Sequence, residues 1–202
     1  RAVLGLGLAG ATLAAASAQA SPAESATAVE GDAAGRYAAA IADIRAYAER
    51  HMSVYGLPGL TLSVVAPEGV TAFLRFGYAQ VETRTPVNPS HLFQIGSISK
   101  SFTALCIFRL MDAGKLSLDD DVARLLPGVP LPDGAGISVQ NLLNHSSGLP
   151  DDAPLFPRGG DGRLWQGFAP GSRWSYSNLG FQMLGMIVER LEGAPLAQVI
   201  HR

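Results

Sequence analysis

The sequence predicts an α+β fold, because a helix and a β-hairpin near the start are followed by a mainly helical second part. Residues 36–55 carry apolar side chains every three or four positions, which is typical of an amphipathic helix. The runs 60–66 and 70–78 are rich in β-prone residues and flank a Pro-Glu-Gly turn, so we expect a hairpin. Residues 99–113 form a predicted helix that is apolar on most of its surface and therefore belongs largely in a core.

The remaining elements are shorter or less regular. A third strand is predicted over 91–95, after a turn-rich stretch. Residues 148–175 are crowded with proline and glycine, so we expect a long irregular segment, and such segments are often functional. The acidic run 119–121 is interpreted as helix caps, with a cation site as the alternative. Further helices are predicted over 122–126, 139–144 and 179–191, with another beginning near Pro195.

The composition indicates a packed globular domain and argues against a nucleic-acid partner. Of the 202 residues, 48% are hydrophobic and 16% are charged, which suits a chain that buries a core. The formal net charge is −2 without any basic run, whereas nucleic-acid binding needs a basic patch. The single cysteine, Cys106, cannot form a disulfide within these residues and is expected to pack in the core. The four histidines are too dispersed for a metal site, so no metal or other cofactor is expected.

The first 20 residues have the pattern of a signal peptide that is incomplete at its start. An apolar run over 2–16 precedes Ala-Gln-Ala at 18–20, which is the small-x-small pattern of a cleavage site before Ser21. The run is shorter than the roughly 20 residues that a membrane span needs, so no stable span is expected. A short membrane anchor is the alternative. The protein is therefore predicted to be periplasmic or secreted in a bacterium, with residues 21–35 as a linker.

The sequence Ser97-Ile98-Ser99-Lys100 is an S-x-x-K motif at the start of the predicted apolar helix. A separation of three places Ser97 and Lys100 on the same helix face, so their side chains can meet. A serine hydroxyl becomes a strong nucleophile only when a neighbouring base takes its proton. Gly96 allows a tight backbone turn, and the Ser97 N–H is a candidate oxyanion donor. The motif by itself is weak, since an N-capping serine with a surface lysine has the same pattern.

A second motif, Tyr176-Ser177-Asn178, separates the irregular segment from the next helix. With it, the sequence resembles the serine β-lactamase and penicillin-binding-protein superfamily, in particular class C β-lactamases and the peptidases and esterases related to them. In that family a Tyr-x-Asn triplet faces the S-x-x-K serine across the active-site cleft. The resemblance covers residues 36–202 in the family's order, through the segments 93–103, 116–122, 142–150 and 170–180.

The resemblance implies a β-lactamase/transpeptidase-like fold and roles for four residues. Ser97 would be the acylated nucleophile, and Lys100 its proton acceptor or electrostatic support. Tyr176 would be the second general base or proton shuttle, and Asn178 would bind the substrate amide and orient Lys100. How lysine and tyrosine divide the proton stays open. The implied protein is a secreted serine hydrolase that forms a covalent acyl-enzyme with a small-molecule amide, lactam or ester.

The resemblance leaves several hydrolase activities open, and alternatives outside the implied mechanism also remain. A β-lactamase, a D,D-peptidase and an esterase would act on a β-lactam, a D-amino-acid peptide and an ester respectively. A non-catalytic module that binds cell-wall peptides or a partner belongs to a different class. A triad of His145, Ser146 or Ser147, and Asp151 is a weaker alternative. Residues adjacent in a loop rarely face one another in triad geometry, and the Gly-x-Ser-x-Gly elbow is missing.

The chain departs from the family's pattern on its C-terminal side. The family's third motif, a Lys- or His-containing triplet that ends in Gly, does not occur before Arg202. The later strands of the family's sheet are also missing, so a truncated fold is expected over 36–202. We expect the 202-residue chain by itself to be insoluble or molten and inactive. Some apolar side chains of the predicted helix over 99–113 would lose their cover, among Phe102, Leu105, Phe108, Leu110 and Met111.

Overall fold

The computed structural model of the chain describes residues 27–29, 33–67 and 69–202. The predicted signal peptide over 1–20 and most of the predicted linker lie outside these ranges. The chain divides into two compact units, with the boundary between residues 93 and 94. None of the helices in the described ranges combines the length and the hydropathy of a segment that spans a bilayer.

The described residues of the first unit form one helix and a small antiparallel sheet. Its elements are β1 Thr27–Val29, α1 Ala33–Tyr55, β2 Gly59–Ala66, β3 Gly69–Gln80 and β4 Thr85–Pro86. The strand order is β1-β3-β2, and β4 pairs with β3 as well. The predicted helix and hairpin are therefore confirmed, although α1 begins three residues earlier than expected, inside the predicted linker.

The core of the first unit follows from two sequence periods. Alternate residues of β3 (Ala72, Leu74 and Phe76) are buried, as the two-residue period of a strand requires. On α1, Ile41 and Ala48 are buried in the same cluster. These two lie seven residues apart, which is about two helical turns, so one face of α1 covers the sheet.

The third strand predicted over 91–95 is wrong, because these residues are irregular. The preceding turn is closed by His91, whose Nδ1 accepts from the Asn88 N–H at 2.9 Å. The side chain of Leu92 is 98% exposed, and Phe93 and Ile95 are about half exposed. A short β-prone run becomes a strand only where another strand pairs with it, and this pairing partner cannot be read from local sequence.

The second unit is helical and buries the larger core. Its helices are α2 Ser99–Asp112, α3 Val122–Leu125, α4 Val139–Leu143, α5 Asn178–Glu192 and α6 Leu196–Ile200, and a 3₁₀ turn at Gly96–Ile98 precedes α2. All five helices agree with the predicted ones to within about two residues at each end. Residues 148–175 contain no helix or strand, as predicted.

In the second unit, side chains cap the starts of two short helices and a glycine follows the end of α5. The Asp121 carboxylate accepts from the Ala123 N–H at 2.8 Å and caps α3. Ser138 caps α4 through a reciprocal pair of bonds with Asn141. Gly193 adopts a left-handed conformation, with φ of 64°, directly after α5. The interpretation of the acidic run as helix caps is therefore confirmed at Asp121.

The two faces of α2 differ in burial. Cys106, Ile107 and Leu110 are buried, which confirms the core position expected for the cysteine. The opposite side exposes 43% of Phe102, 59% of Leu105 and 46% of Phe108. The expectation that some apolar side chains of this helix lack cover is confirmed at Phe102, Leu105 and Phe108, whereas Leu110 is covered.

Candidate active site

The first half of the site lies where the chain enters α2. Gly96 has φ of 54°, a left-handed conformation that favours glycine, and it turns the backbone into the 3₁₀ turn. Ser97 belongs to this turn and so lies just before α2 rather than inside it. Lys100 is in the first turn of α2, and its Nζ donates to the Ser97 Oγ at 3.0 Å. The predicted contact between the two side chains is therefore present.

The second half of the site lies where the chain enters α5. Ser177 is buried and its Oγ donates to the Pro150 carbonyl at 2.8 Å. The same Oγ accepts from the Gly180 N–H at 3.0 Å, which caps the helix. These two hydrogen bonds keep the Ser177 side chain buried. Its neighbours Tyr176 and Asn178 are partly exposed on the side of the site.

The two halves meet through hydrogen bonds over long sequence separations. The Tyr176 hydroxyl lies 2.5 Å from the Ser97 Oγ, with either atom as the donor. Lys100 Nζ donates to the Asn178 Oδ1 at 2.5 Å. The same amine lies 4.8 Å from the centre of the Tyr176 ring and 5.7 Å from that of Phe181. All four residues named from the sequence are thus in one connected group.

The hydrogen bonds around Tyr176 change its proton affinity. Bonds with the side chains of Lys100 and then Ser97 lower the pKa of the Tyr176 phenol, because they favour the phenolate. Partial burial and the negative charge of Asp151 act in the opposite direction. The net lowering makes the phenolate more accessible than in an ordinary tyrosine, which is what a general base at this position needs.

His145 supports the site from behind Tyr176. It has φ of 61°, a conformation that non-glycine residues rarely adopt. Its Nδ1 accepts from the Ser177 N–H at 3.1 Å, and its ring centre lies 4.6 Å from that of Tyr176. Burial, followed by the nearby charge of Lys100, lowers the pKa of His145 and favours the neutral ring that this acceptor role requires.

The geometry does not support the Ser-His-Asp alternative. The Nδ1 of His145 faces the backbone of Ser177. The Ser146 Oγ donates to the Asn144 Oδ1 at 2.6 Å, and the Ser147 Oγ accepts from the Leu149 N–H at 3.2 Å. Both serines are therefore used within their own loop. The sequence indicated that this loop belongs to the site, but the contact between the rings of His145 and Tyr176 was not predicted.

Asp151 is a second residue whose contact in the site was not predicted from the sequence, where it was named only in the alternative triad. Its Oδ1 accepts from the Asn178 Nδ2 at 3.0 Å and from the Asn178 N–H at 3.2 Å. Its backbone carbonyl accepts from the N–H groups of Asn178 and Leu179, at 3.0 and 3.1 Å. In the loop that carries Asp151, Gly148 passes so close to Phe168 that a β-carbon would lie 2.3 Å from the Phe168 carbonyl oxygen. The sequence offered one signal for a role of Asp151 in the site, namely its position only six residues after His145.

Comparison with known proteins identifies the family. The model of the Beta-lactamase family matches residues 44–202. The chain belongs to the β-lactamase family. A penicillin-binding protein of Bacillus subtilis (strain 168) is 35% identical over 156 residues, which are 68% of this chain and 34% of that protein. Esterase EstB of Burkholderia gladioli is 34% identical over 167 residues, which are 69% of this chain and 42% of the esterase.

Solved structures agree with this membership. The octameric penicillin-binding protein homologue from Pyrococcus abyssi superposes with a TM-score of 0.68 and 32% identity, covering 80% of this chain and 41% of that one. The resemblance and the β-lactamase/transpeptidase-like α+β fold expected from the sequence are thereby confirmed. The chain spans less than half the length of these relatives.

The described residues offer no evident metal centre. No group of three or more histidine, cysteine, aspartate and glutamate side chains in those ranges is arranged to hold a metal ion. The polar groups that do converge are a hydroxyl, an amine, a phenol and an amide, on Ser97, Lys100, Tyr176 and Asn178. Such a set favours nucleophilic acyl transfer with proton relay.

Proposed function

We propose that the whole protein, meaning these 202 residues with any sequence that flanks them in the native gene, is a serine hydrolase that reacts through Ser97. The observation that carries the proposal is the position of the Ser97 Oγ, 3.0 Å from Lys100 Nζ and 2.5 Å from the Tyr176 hydroxyl. A serine hydroxyl with two groups that can hold or receive its proton is an activated nucleophile.

The proposed reaction proceeds in two steps. The Ser97 Oγ attacks the substrate carbonyl carbon while its proton passes to the Tyr176 phenolate. The new C–O bond forms and the bond from carbon to the leaving nitrogen or oxygen breaks. The leaving group takes the proton from Tyr176, and water then hydrolyses the acyl-enzyme by the same route in reverse. The lowered pKa of Tyr176 supports it as the proton carrier, with Lys100 as the cation that stabilises the phenolate.

The turn that carries the nucleophile also supports the proposal. The tetrahedral intermediate carries a negative oxygen, which backbone N–H groups at a helix start stabilise. We assign the Ser97 N–H as one such donor, since it lies in the 3₁₀ turn before α2. Asn178 is partly exposed beside Lys100, where it is available to a substrate amide.

The substrate class is an amide, a lactam or an ester. Relatives of this chain are named as a penicillin-binding protein and as an esterase, and these names support acyl substrates of both kinds. A non-catalytic binding module would not need a lysine and a tyrosine on the same serine oxygen. The convergence at Ser97 therefore favours catalysis over binding alone.

Labelling of the whole protein tests the proposal. A fluorescent penicillin, a fluorophosphonate and a nitrophenyl ester report β-lactam acylation, general serine reactivity and ester turnover. We expect at least one of the first two to label the wild type and Ser97→Ala to remain unlabelled. Ser101→Ala is the matched control and should label normally, since Ser101 is an exposed serine of α2, four residues after Ser97. Labelling of Ser97→Ala at the wild-type rate would reject the nucleophile.

We also propose that the protein is exported to the periplasm or beyond the cell. The support is the Ala-Gln-Ala pattern at 18–20, which lies outside the described residues. Amino-terminal sequencing of protein from the native host should give a mature chain beginning at Ser21. Recovery of uncleaved protein from the cytoplasm would overturn this proposal.

A further inference from the structure

The side chain of Asn178 lies between two groups of opposite charge. Its Oδ1 accepts from Lys100 Nζ at 2.5 Å, and its Nδ2 donates to the Asp151 Oδ1 at 3.0 Å. We propose that Asp151 is a positioning residue, which fixes the amide orientation of Asn178 so that its oxygen is held toward Lys100. The inference rests on the proposed function, because Lys100 matters only if Ser97 is acylated.

The chemistry of the two neighbours selects one orientation. A carboxylate only accepts hydrogen bonds, and an ammonium group only donates them. Rotating the Asn178 amide by half a turn would place its oxygen against Asp151 and its NH₂ against Lys100. Both contacts would then be repulsive. Asp151 and Lys100 therefore favour the same orientation of the Asn178 amide.

The loop of Asp151 is anchored well enough for this role. The Asp151 carbonyl accepts two backbone N–H groups at the start of α5, from Asn178 and Leu179. The neighbouring Asp152 has its Oδ1 at the longer distance of 3.4 Å from Asn178 Nδ2. Asp151 is thus the carboxylate with the shorter bond and the direct backbone attachment.

The charge of Asp151 argues against a purely electrostatic role. It raises the pKa of Tyr176, against the lowering that Lys100 and Ser97 produce, and it raises that of His145 as well. A negative charge here works against the phenolate. The benefit that we assign to Asp151 is therefore the orientation of Asn178, and removing its charge while keeping an acceptor should be tolerated.

A double-mutant cycle in the whole protein separates positioning from helix capping. Asp151→Ala should slow acylation on the order of tenfold, the scale of one lost hydrogen bond to a charged group. Asp151→Asn, which retains an acceptor oxygen, should stay within about threefold of the wild type. In an Asn178→Ala background, where the backbone N–H remains but Nδ2 is gone, Asp151→Ala should cost less than about twofold. Asp121→Ala removes a carboxylate cap from α3 and is the matched control, with an unchanged rate.

A second measurement does not depend on activity. Selective ¹⁵N labelling of asparagine should show the Asn178 side-chain NH₂ pair shifting or broadening in Asp151→Ala and not in Asp121→Ala. Equal rate losses from Asp151→Ala with and without Asn178 would overturn the inference, as would an unperturbed NH₂ pair. If the acylating probes fail to label the wild type but Asp151→Ala still shifts the Asn178 NH₂ pair, the proposed hydrolase would be rejected and the inferred orientation of the amide would be kept.

Discussion

The starts of α2 and α5 each supply two side chains to the site, but they are held in different ways. Ser97 and Lys100 are three residues apart, so their 3.0 Å contact follows from the local turn and helix. Tyr176 and Asn178 depend on contacts from a loop 27 to 32 residues earlier, through Asp151 and His145. The nucleophile side is therefore fixed by local geometry, and the base side by tertiary structure.

The bodies of the two helices differ in the same direction. Leu179, Met183, Leu184, Ile187 and Val188 of α5 are fully buried. The exposed face of α2 carries Phe102, Leu105 and Phe108. In the described structure, α5 is thus buried along its core face, and contacts from a distant loop hold its start. The start of α2 is held by local contacts, and one apolar face of this helix is exposed to solvent.

The largest expected effect comes from breaking the contact between the two halves. Lys100→Ala and Tyr176→Phe should each slow acylation of the whole protein on the order of 10²-fold or more. The double variant should lose little beyond either single one, because residues that act as a unit fail together. Lys115→Ala removes an exposed lysine paired with Glu192 and should leave the rate unchanged. Additive losses in stopped-flow acylation would show that the two groups act separately.

The next effect contrasts the bodies of α2 and α5 in the 202-residue chain. Leu184→Gln places a polar group in a fully buried position and should lower the soluble yield below that of the unsubstituted chain. Losing such a leucine lowers the free energy of unfolding by about 2–5 kcal/mol. Leu105→Gln, at a position that is 59% exposed, should raise soluble yield by reducing the apolar surface. Size-exclusion chromatography of both variants checks this. An equal loss for both would mean that Leu105 is covered.

A smaller effect concerns the pH dependence of acylation. The rate should rise with pH as Tyr176 loses its proton, and the rise should be centred below the usual tyrosine value of 10.0, because Lys100 and Ser97 lower its pKa. Lys100→Ala should move that rise to higher pH, and Tyr176→Phe should abolish it. A pH profile that is the same in wild type and Tyr176→Phe would remove Tyr176 from the proton path.

The smallest expected effect is on stability and involves His145. Its pKa is lowered from 6.5 in the folded state, so the unfolded chain takes up a proton first as the pH falls. Stability should therefore fall as the pH drops below 6.5, and stop falling once the folded pKa is passed. His145→Phe keeps the ring packing but cannot titrate, so its melting temperature should depend less on pH over this window. If the melting temperatures of the two proteins depended equally on pH, His145 would not be held in its uncharged form in the folded protein.

The same contrast explains which features the sequence could predict. The S-x-x-K contact and the helix cap at Asp121 depend on residues two or three positions apart, and they are found as expected. The strand predicted over 91–95 failed because strand formation needs a distant partner. The short strand β4 pairs with β3 and was not predicted, because two residues are too few to show the period of a strand. The parts of Asp151 and His145 in the site were missed because their contacts span the irregular loop.

The most direct test of the account is to locate the acyl group by mass spectrometry. The whole protein is treated with a fluorophosphonate or a β-lactam, digested, and its peptides are sequenced. We expect one modified residue, Ser97, with labelling slowed on the order of 10²-fold in Tyr176→Phe. Modification of Ser146 or Ser147 instead, or labelling of Ser97 that is indifferent to Tyr176, would contradict it.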